Sequence, residues 1–485
     1  MKIEEFALER NQSLFEHKVD FNLSESGLHP LPLKEILTVE EQSTLLEKEL
    51  VYGHTNGTPY LRDNISMLYD GAERANVLAT SGSAEANYIA IMTILDPGDE
   101  IIYMTPNYLQ IRGIARNIGV NVKELPLEED LGWQWDINKL EKLVSIKTKM
   151  IVICHPNNPT GSIVSLKNMK NILDIAKKND CWILSDEVYR GAELDGDECP
   201  SFFGSYEKTI VNAGLSKAYR LPGLRIGWTV GPVEYIKKAW ALHDYTSISI
   251  AYHSDWVASK VLETKRRKMI LNGTKDHLNQ NLETLVKWVD TLNGKLSINK
   301  PQAGAIAFTK LNIQQSCEDL TYYLRDEYSV LLTAGKWFGL DGFIRFGFGP
   351  PNDYLINALN RIENAIAKRT DDTSLDNITE LSLVIPTELD LPLPSNAGDF
   401  AGMSSVGHIR AVGKILQGYG YGRASINKYT VKDNDDMRIR SKFDTESAKD
   451  DLATRDATMA YVAACGEYMN SISICLLYTS PSPRD

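Results

Sequence analysis

Two basic residues eight positions apart, Lys217 and Arg225, give the strongest chemical signal in the sequence. Lys217 follows an apolar run, residues 209–213, that is typical of a buried strand. An amine on a turn just past a strand can reach a cleft at the end of a sheet and form a Schiff base with an aldehyde. A nearby arginine binds an anionic group. Taken alone, a Ser-Lys pair is more often a surface lysine in a basic loop, so the interpretation depends on the rest of the chain.

Other chemically suggestive residues also follow short apolar runs. Asp186 ends the run WILSD, Tyr189 comes three residues later, and Arg345 lies in FIRFGFG. The remaining candidates are Ser81, Gly82 and Ser83 before a predicted helix, Tyr108 after EIIYM, and Asn158 in NPTG. Ligands of open α/β sheets bind beyond the carboxyl ends of strands, so these positions are consistent with one site.

Together these stretches resemble the fold-type I pyridoxal 5′-phosphate (PLP) enzymes, the class I/II aminotransferases. The resemblance extends from about residue 1 to residue 368 and includes GLSKAYRLPGLRIGW, NPTG, SDEVYRG and a Tyr-Gly…Gly…Leu-Arg segment from Val51. It implies PLP as the cofactor and an α/β fold. We expect a large domain with a mostly parallel seven-stranded sheet flanked by helices, and a smaller α+β domain from the N- and C-terminal segments.

The resemblance also implies a role for each candidate. Lys217 forms the Schiff base and then moves the substrate proton, while Asp186 keeps the pyridine ring protonated. Tyr189 and Asn158 contact the phenolic oxygen, Tyr108 stacks on the ring, and the Asn158–Pro159 peptide bond is cis. The phosphate contacts are Ser81, Gly82, Ser83, Ser216, Arg225 and Tyr52 of the partner subunit. The substrate contacts are Arg345, Asn158 and Gly27. No metal site is expected.

The chain departs from the family pattern in two places. Gly214 stands where a phosphate-binding serine is usual, at an expected cost of about 1 kcal/mol of cofactor affinity. The usual Gly-x-Pro near the substrate carboxylate is replaced by Ser24, Glu25, Ser26, Gly27 and His29. Glu25 could recognise a cationic side chain, although a solvated loop carboxylate is the more common situation. We expect Glu187, next to Asp186, to be solvated and structural.

The composition is that of a soluble globular protein. Of its residues, 43% are hydrophobic and 24% are charged. A chain of 485 residues is too long for one compact core, so two or more domains are expected. The net charge of −12 argues against nucleic-acid or anionic-membrane partners. Six scattered cysteines without a CxxC pair suggest a reducing compartment. The N-terminus has no apolar signal core, so we expect a cytoplasmic protein.

Short apolar strands alternate with helices after residue 76, which predicts the parallel sheet. The predicted division is residues 1–46 for the N-terminal part of the small domain, 47–250 for the large domain and 251–368 for the C-terminal part of the small domain. Residues 369–398 are acidic and rich in proline, which is typical of a linker. Residues 399–485 match no motif, and CLLYTSPSPRD resembles translated sequencing-adapter DNA, so we expect a truncated or chimeric end.

The preferred hypothesis is an aminotransferase that moves an amino group between an L-amino acid and a 2-oxo acid, acting as a homodimer. The same residues could serve a lyase or a cyclase, because fold-type I enzymes share the carbanion step. SESGLHPL and DYTSIS faintly resemble the branch that includes capreomycidine synthase. A non-catalytic PLP-binding sensor is a third hypothesis. It is less favoured because Lys217, Asp186, Arg225 and Arg345 are all present and no basic DNA-binding module is recognisable.

Overall fold

The computed structural model describes residues 4–371, and the predicted linker and tail lie outside these residues. The N-terminal elements are α1 (Ala7–Phe15), β1 (Phe21–Asn22), α2 (Leu33–Ile36), α3 (Val39–Glu47) and α4 (Pro59–Ser66). Thr38 and Glu41 form a capping box at the start of α3. Thr58 caps α4, which begins with Pro59. These are residue types that favour helix starts.

A seven-stranded sheet forms the centre of the larger part. Its strands are β2 (Val77–Thr80), β3 (Glu100–Thr105), β4 (Asn121–Pro126), β5 (Thr148–Cys154), β6 (Trp182–Asp186), β7 (Thr209–Gly214) and β8 (Gly227–Val230). Their spatial order is β2-β8-β7-β6-β5-β3-β4. β8 runs antiparallel to both of its neighbours, and the other pairs are parallel. The mostly parallel seven-stranded sheet is confirmed.

Helices cover both faces of this sheet. They are α5 (Ser83–Ile94), α6 (Gln110–Asn117), α7 (Ile137–Leu143), α8 (Leu166–Lys178) and α9 (Val233–His243). Successive residues of β5 point to opposite faces: Ile151 and Ile153 join one buried cluster, whereas Met150 and Val152 join the other. A strand buried on both faces has no polar side, which explains the continuous apolar runs in the sequence.

The smaller part follows α10 (Tyr252–Val261) and α11 (Thr264–Thr291). It contains β9 (Leu296–Ile298), β10 (Ile306–Leu311), α12 (Cys317–Tyr328), β11 (Val330–Leu331), β12 (Thr333–Ala334), β13 (Phe343–Gly347) and α13 (Asn352–Asp371). An antiparallel sheet has the order β12-β13-β10-β9. β1 pairs in parallel with β11, so the N-terminal segment completes this α+β part as expected. The exact domain boundaries stay a prediction.

No helix between residues 4 and 371 combines the length and the apolar character that crossing a membrane requires.

Candidate active site

A pocket of about 350 Å³ lies beyond the carboxyl ends of β5, β6 and β7, and its volume falls in the usual range for small-molecule sites. Two groups of residues face each other across it. The sheet wall consists of Ser83, Asn158, Asp186, Tyr189, Lys217 and Arg225. The N-terminal wall consists of Glu9, Gln12, Glu16, Glu25 and Ser26. The strand ends therefore converge on one cavity, which the N-terminal segment closes from the other side.

Most of the predicted site residues meet in this pocket. Those that line it are Ser83, Tyr108, Asn158, Asp186, Tyr189, Ser216, Lys217, Arg225 and Arg345. Two predicted glycines lie directly behind the lining. Gly27 packs against the Lys217 side chain, and Gly82 packs against the Arg225 guanidinium.

Lys217 lies three residues beyond β7 and forms an ion pair with Glu25. Its Nζ is 2.9 Å from Glu25 Oε1. The same oxygen accepts hydrogen bonds from the backbone N–H groups of Ser26 and Gly27, each at 2.8 Å. The charge of Lys217 lowers the pKa of Glu25 to about 2, although burial opposes the shift. Burial acts to lower the pKa of Lys217, but the charge and hydrogen bond of Glu25, together with the nearby Tyr189 phenol, outweigh it and raise that pKa.

Asp186, the last residue of β6, is a buried carboxylate with neutral hydrogen-bond donors. Its Oδ2 accepts from Asn87 Nδ2 at 2.9 Å, and its Oδ1 accepts from the Val188 N–H at 3.2 Å. Burial raises the pKa of Asp186, and these hydrogen bonds offset only part of the shift. A carboxylate in such surroundings favours a ligand group that brings a positive charge.

Two tyrosines occupy the positions expected of them in the pocket. Burial raises the pKa of Tyr189, while the nearby charges of Lys217 and Arg345 oppose the shift. The Tyr108 hydroxyl donates to Glu9 Oε1 at 2.7 Å, so this ring is fixed by the N-terminal wall. Burial, reinforced by Glu9, raises the pKa of Tyr108. Both phenols therefore stay protonated, and the proton of Tyr108 is already donated to Glu9.

The start of α5 and the Arg225 guanidinium form a cradle suited to an anion. Gly82 has a φ of 85°, which L side chains rarely adopt, and a Cβ atom there would clash with Arg225. A Cβ atom at Gly227 would clash with the backbone of Gly82 and Ser83. The free N–H groups at the start of α5 and the arginine can face one phosphate. Gly214 has the Ile226 carbonyl 2.9 Å from where its Cβ would be, so the missing serine would also be crowded.

Arg345 on β13 enters the pocket from the smaller sheet and is only 1% exposed. Its Nη1 donates to Asn158 Oδ1 at 3.0 Å, and its Nη2 donates to the Ser24 carbonyl. In the described part of the chain, the buried Nε has no hydrogen-bond partner. Burial lowers the pKa of Arg345. Two hydrogen bonds fix the orientation of this guanidinium, and its Nε–H remains as a donor, so it is well placed to bind a carboxylate.

Three predictions, on a peptide bond, a phosphate contact and a subunit contact, have different outcomes. The cis Asn158–Pro159 bond is confirmed. The Ser81 backbone N–H donates to Glu85 Oε2 at 2.5 Å, so only its hydroxyl is left for a phosphate. Tyr52 is 91% exposed and lies outside the pocket, and its reach into a second subunit stays a prediction.

The expectation that Glu187 is solvated is wrong. This side chain is 1% exposed, and burial raises its pKa to about 7. Glu25 is half-exposed, as a loop carboxylate often is, but it contacts Lys217 instead of standing free in solvent.

Sequence reasoning missed Asn87 and the acidic face of α1. Asn87 lies one helical turn after Ser83, and this spacing places both side chains on the same face of α5. Glu9, Gln12 and Glu16 follow the same rule on α1, and all three line the pocket. The helical spacing was visible in the sequence, but the surface that each helix covers was not.

The residues of the pocket fit PLP. Lys217 provides an amine for the aldehyde, and Asp186 provides a buried acid for a cationic ring. The absence of a side chain at Gly82 lets the Arg225 guanidinium lie against the start of α5, where it suits a phosphate.

Comparison with known proteins agrees with this geometry. The family model of aminotransferase class I and II matches residues 18–362, which is more than half of the chain. The chain belongs to the class I and II aminotransferase family. It is accordingly a PLP-dependent enzyme of this class, and it has the fold-type I architecture.

Several relatives share most of the matched region. The chain is 29% identical over 324 residues to an aspartate aminotransferase of Pyrococcus horikoshii, covering 65% of this chain and 83% of the relative. It is 26% identical over 359 residues to capreomycidine synthase of Streptomyces vinaceus, covering 73% and 90%. A PLP-dependent aminotransferase structure from Streptococcus suis superposes with a TM-score of 0.72 at 30% identity, covering 76% and 99%.

Proposed function

We propose that this aminotransferase-family enzyme moves an amino group between an L-amino acid and a 2-oxo acid, with Lys217 as the residue that carries PLP through a Schiff base. The observation that carries the proposal is the convergence of Lys217, Asp186, Arg225 and Arg345 on one pocket. An amine, a buried acid and two arginines meet there although they come from four separate strands or turns.

When bound, PLP supplies an aldehyde and an electron-withdrawing ring. Asp186 would hold the proton on the ring nitrogen, since its burial favours a cationic partner. Asn158 and Tyr189 would donate to the phenolic oxygen, and Tyr108 would cover the ring. Ser81, Gly82, Ser83, Ser216 and Arg225 would bind the phosphate.

Arg345 would bind the α-carboxylate of the substrate and orient its Cα, with Asn158 and Gly27 beside it. Lys217, released from the cofactor, would accept the proton from Cα and return it to the cofactor carbon C4′. The Gly27 N–H donates to Glu25, and the Gly27 backbone lies close to the Lys217 side chain. These contacts restrict the positions that the lysine can adopt.

The assembly and location belong to the same proposal. We propose a homodimer in which Tyr52 of the partner subunit reaches the phosphate. Its exposed position on the single chain supports this proposal. A cytoplasmic location is supported by Cys154, Cys181, Cys199 and Cys317, which are all buried free thiols.

A PLP-dependent lyase or cyclase acting on a specialised amino acid is the second candidate. It is supported by the match to capreomycidine synthase, which covers 90% of that protein. The Glu25 loop, which departs from the usual Gly-x-Pro, favours an unusual substrate for either reaction.

The test is an absorbance spectrum of the PLP-loaded protein with single amino acids and no oxo acid. Transamination predicts stoichiometric conversion of the bound cofactor to pyridoxamine 5′-phosphate by at least one amino acid. Lys217→Ala should abolish this conversion, while Lys142→Ala, which changes an exposed lysine, should not. Release of ammonia together with a keto acid would favour the lyase, and formation of a cyclised amino acid would favour the cyclase, in both cases without pyridoxamine 5′-phosphate. No lysine-dependent change with any amino acid would contradict both reactions.

A further inference from the structure

We propose that the pocket selects an amino acid with a cationic side chain, and that Glu25, assisted by Glu9 and Glu16, is the group that binds the cation. The inference rests on the proposed function for the reaction, but the binding preference can be measured without turnover.

The first argument is the position of Glu25. Its Oε1 is 2.9 Å from Lys217 Nζ, at the point where a substrate must approach the lysine. Two backbone N–H groups hold this oxygen, so the carboxylate is fixed and does not sample the solvent freely. Its low pKa keeps it charged at neutral pH. A fixed negative charge beside the reacting lysine attracts cations and repels a second carboxylate.

The second argument is that α1 adds two more carboxylates to the same wall. Glu9 and Glu16 are two helical turns apart and both line the pocket. Glu9 Oε1 accepts from the Tyr108 hydroxyl, which orients it toward the cavity without neutralising it. Between residues 4 and 371, no lysine or arginine lies within ion-pair distance of Glu9 or Glu16, although the charge of Glu9 acts on Arg345 from further away. Glu16 Oε1 lies 3.4 Å from His17 Nε2.

The third argument is the balance of charge in the pocket. The basic residues that line it are Lys217, Arg225 and Arg345. The proposed chemistry assigns these three to the aldehyde, the phosphate and the α-carboxylate of the ligand. The carboxylates of the N-terminal wall are then left to be matched by the substrate side chain. An ammonium or guanidinium group on that side chain provides the match, whereas the side chain of aspartate would meet like charge.

The experiment uses two probes that lack a primary amine and therefore cannot form a Schiff base with PLP. 5-Guanidinopentanoate carries a carboxylate for Arg345 and a distal guanidinium, and pentanoate is the same chain without the guanidinium. Calorimetry on the PLP-loaded enzyme should give an affinity at least about tenfold higher for 5-guanidinopentanoate. Glu25→Gln keeps the acceptor oxygen for Ser26 and Gly27, and it should remove most of that difference. Glu363→Gln, on an exposed part of α13, should leave the difference unchanged.

The triple variant Glu9→Gln, Glu16→Gln, Glu25→Gln should bind both probes equally. Equal affinity in the wild type, or a preference that survives in the triple variant, overturns the proposal. The proposal also fails if Glu25→Gln only changes the titration of Lys217 and leaves the probe preference intact, because Glu25 would then serve the lysine alone.

Substrate kinetics separate this inference from the proposed reaction. Among L-ornithine, L-lysine, L-norleucine and L-aspartate, the two basic amino acids should have the lowest KM, and Glu25→Gln should raise that KM more than it lowers kcat. If L-aspartate reacts best, transamination stands and the cationic substrate is excluded. If no amino acid is transaminated but the probe preference depends on Glu25, the binding inference stands and the reaction must be revised.

Discussion

Asp186 and Glu25 are carboxylates on opposite walls of one pocket, and their surroundings move their pKa values in opposite directions. Asp186 is buried at the end of a strand, and this burial raises its pKa although the hydrogen bonds that it accepts from neutral groups oppose the shift. Glu25 is half-exposed and paired with Lys217, so its pKa is lowered. The same functional group is prepared for a cationic ring on one wall and is kept charged beside the substrate on the other.

The two walls also differ in how they are built. The sheet wall is formed by residues at strand ends, whose backbones are fixed by pairing with neighbouring strands. The N-terminal wall is one face of α1 and the loop after β1, which is held by a two-residue strand pairing and by side-chain contacts. A rigid wall suits the cofactor chemistry that the whole family shares. A less regular wall can be built from different residues in enzymes that act on different substrates.

Replacing Asp186 should have the largest effect, because it removes the charge from the sheet wall while keeping the shape. We expect Asp186→Asn to lower kcat by about 10²–10⁴-fold at saturating PLP, measured in steady state. Asp174→Asn, an exposed residue of α8, is the control. A variant with near-normal kcat would show that the buried acid is not needed, and the contrast between the walls would lose its functional meaning.

The pKa of Glu187, the residue after Asp186, tests whether water is excluded from the region behind the sheet wall. Its carboxyl pKa is raised from 4.5 to about 7, so the folded protein prefers the protonated form. The unfolded chain loses that proton first as pH rises, and stability therefore falls between about pH 4.5 and 7 and is constant above. One pKa unit corresponds to about 1.4 kcal/mol. From pH 4.5 to pH 8, the free energy of unfolding of the Glu187→Gln variant should therefore rise by about 3 kcal/mol relative to that of the wild type.

Urea unfolding of the wild type and the Glu187→Gln variant at several pH values measures this difference. Glutamine retains the oxygen that accepts from Phe202 N–H at 2.9 Å and Ser185 Oγ at 3.1 Å. A stability difference that does not change with pH would mean that Glu187 is ionised in the folded state, as an exposed carboxylate is.

Arg345→Lys tests the residue that lies between the two walls. Lysine keeps the positive charge but cannot donate the bidentate hydrogen bonds of arginine. We therefore expect kcat/KM to fall about 100-fold for every amino acid, mainly through a higher KM. Arg116→Lys, on the exposed surface, should change nothing. An effect limited to acidic substrates would mean that Arg345 binds the side chain instead of the α-carboxylate.

Gly82→Ala should have the smallest of these effects and should act on the cofactor alone. The added methyl group meets Arg225 and forces a strained φ, so the Kd for PLP should rise about tenfold, as measured by fluorescence quenching. Gly98→Ala is the matched control, because Gly98 has a φ of 93° with no atom within 4 Å of the new Cβ. If both variants bind PLP equally well, the cradle assignment is wrong.

The sequence predicted the sheet wall well because its signals are local. Each catalytic candidate directly follows an apolar run, and residues such as Asp186 and Lys217 need only the strand order to become neighbours. Parallel strands bring their carboxyl ends to one edge of the sheet, so residues that follow these strands lie close together. Asn87 and Glu9 were missed because they lie within helices, where a polar residue is usually on the solvent side.

The sequence by itself determined the family, the cofactor, the α/β architecture and the residues at the strand ends, since periodicity and short motifs are encoded within a few neighbouring positions. Only the tertiary structure decided that Glu187 is buried, that Glu25 meets Lys217 across 192 positions of chain, and that one face of α1 lines the pocket. Burial and charge pairing depend on which distant segments pack together, and that information is distributed over the whole fold.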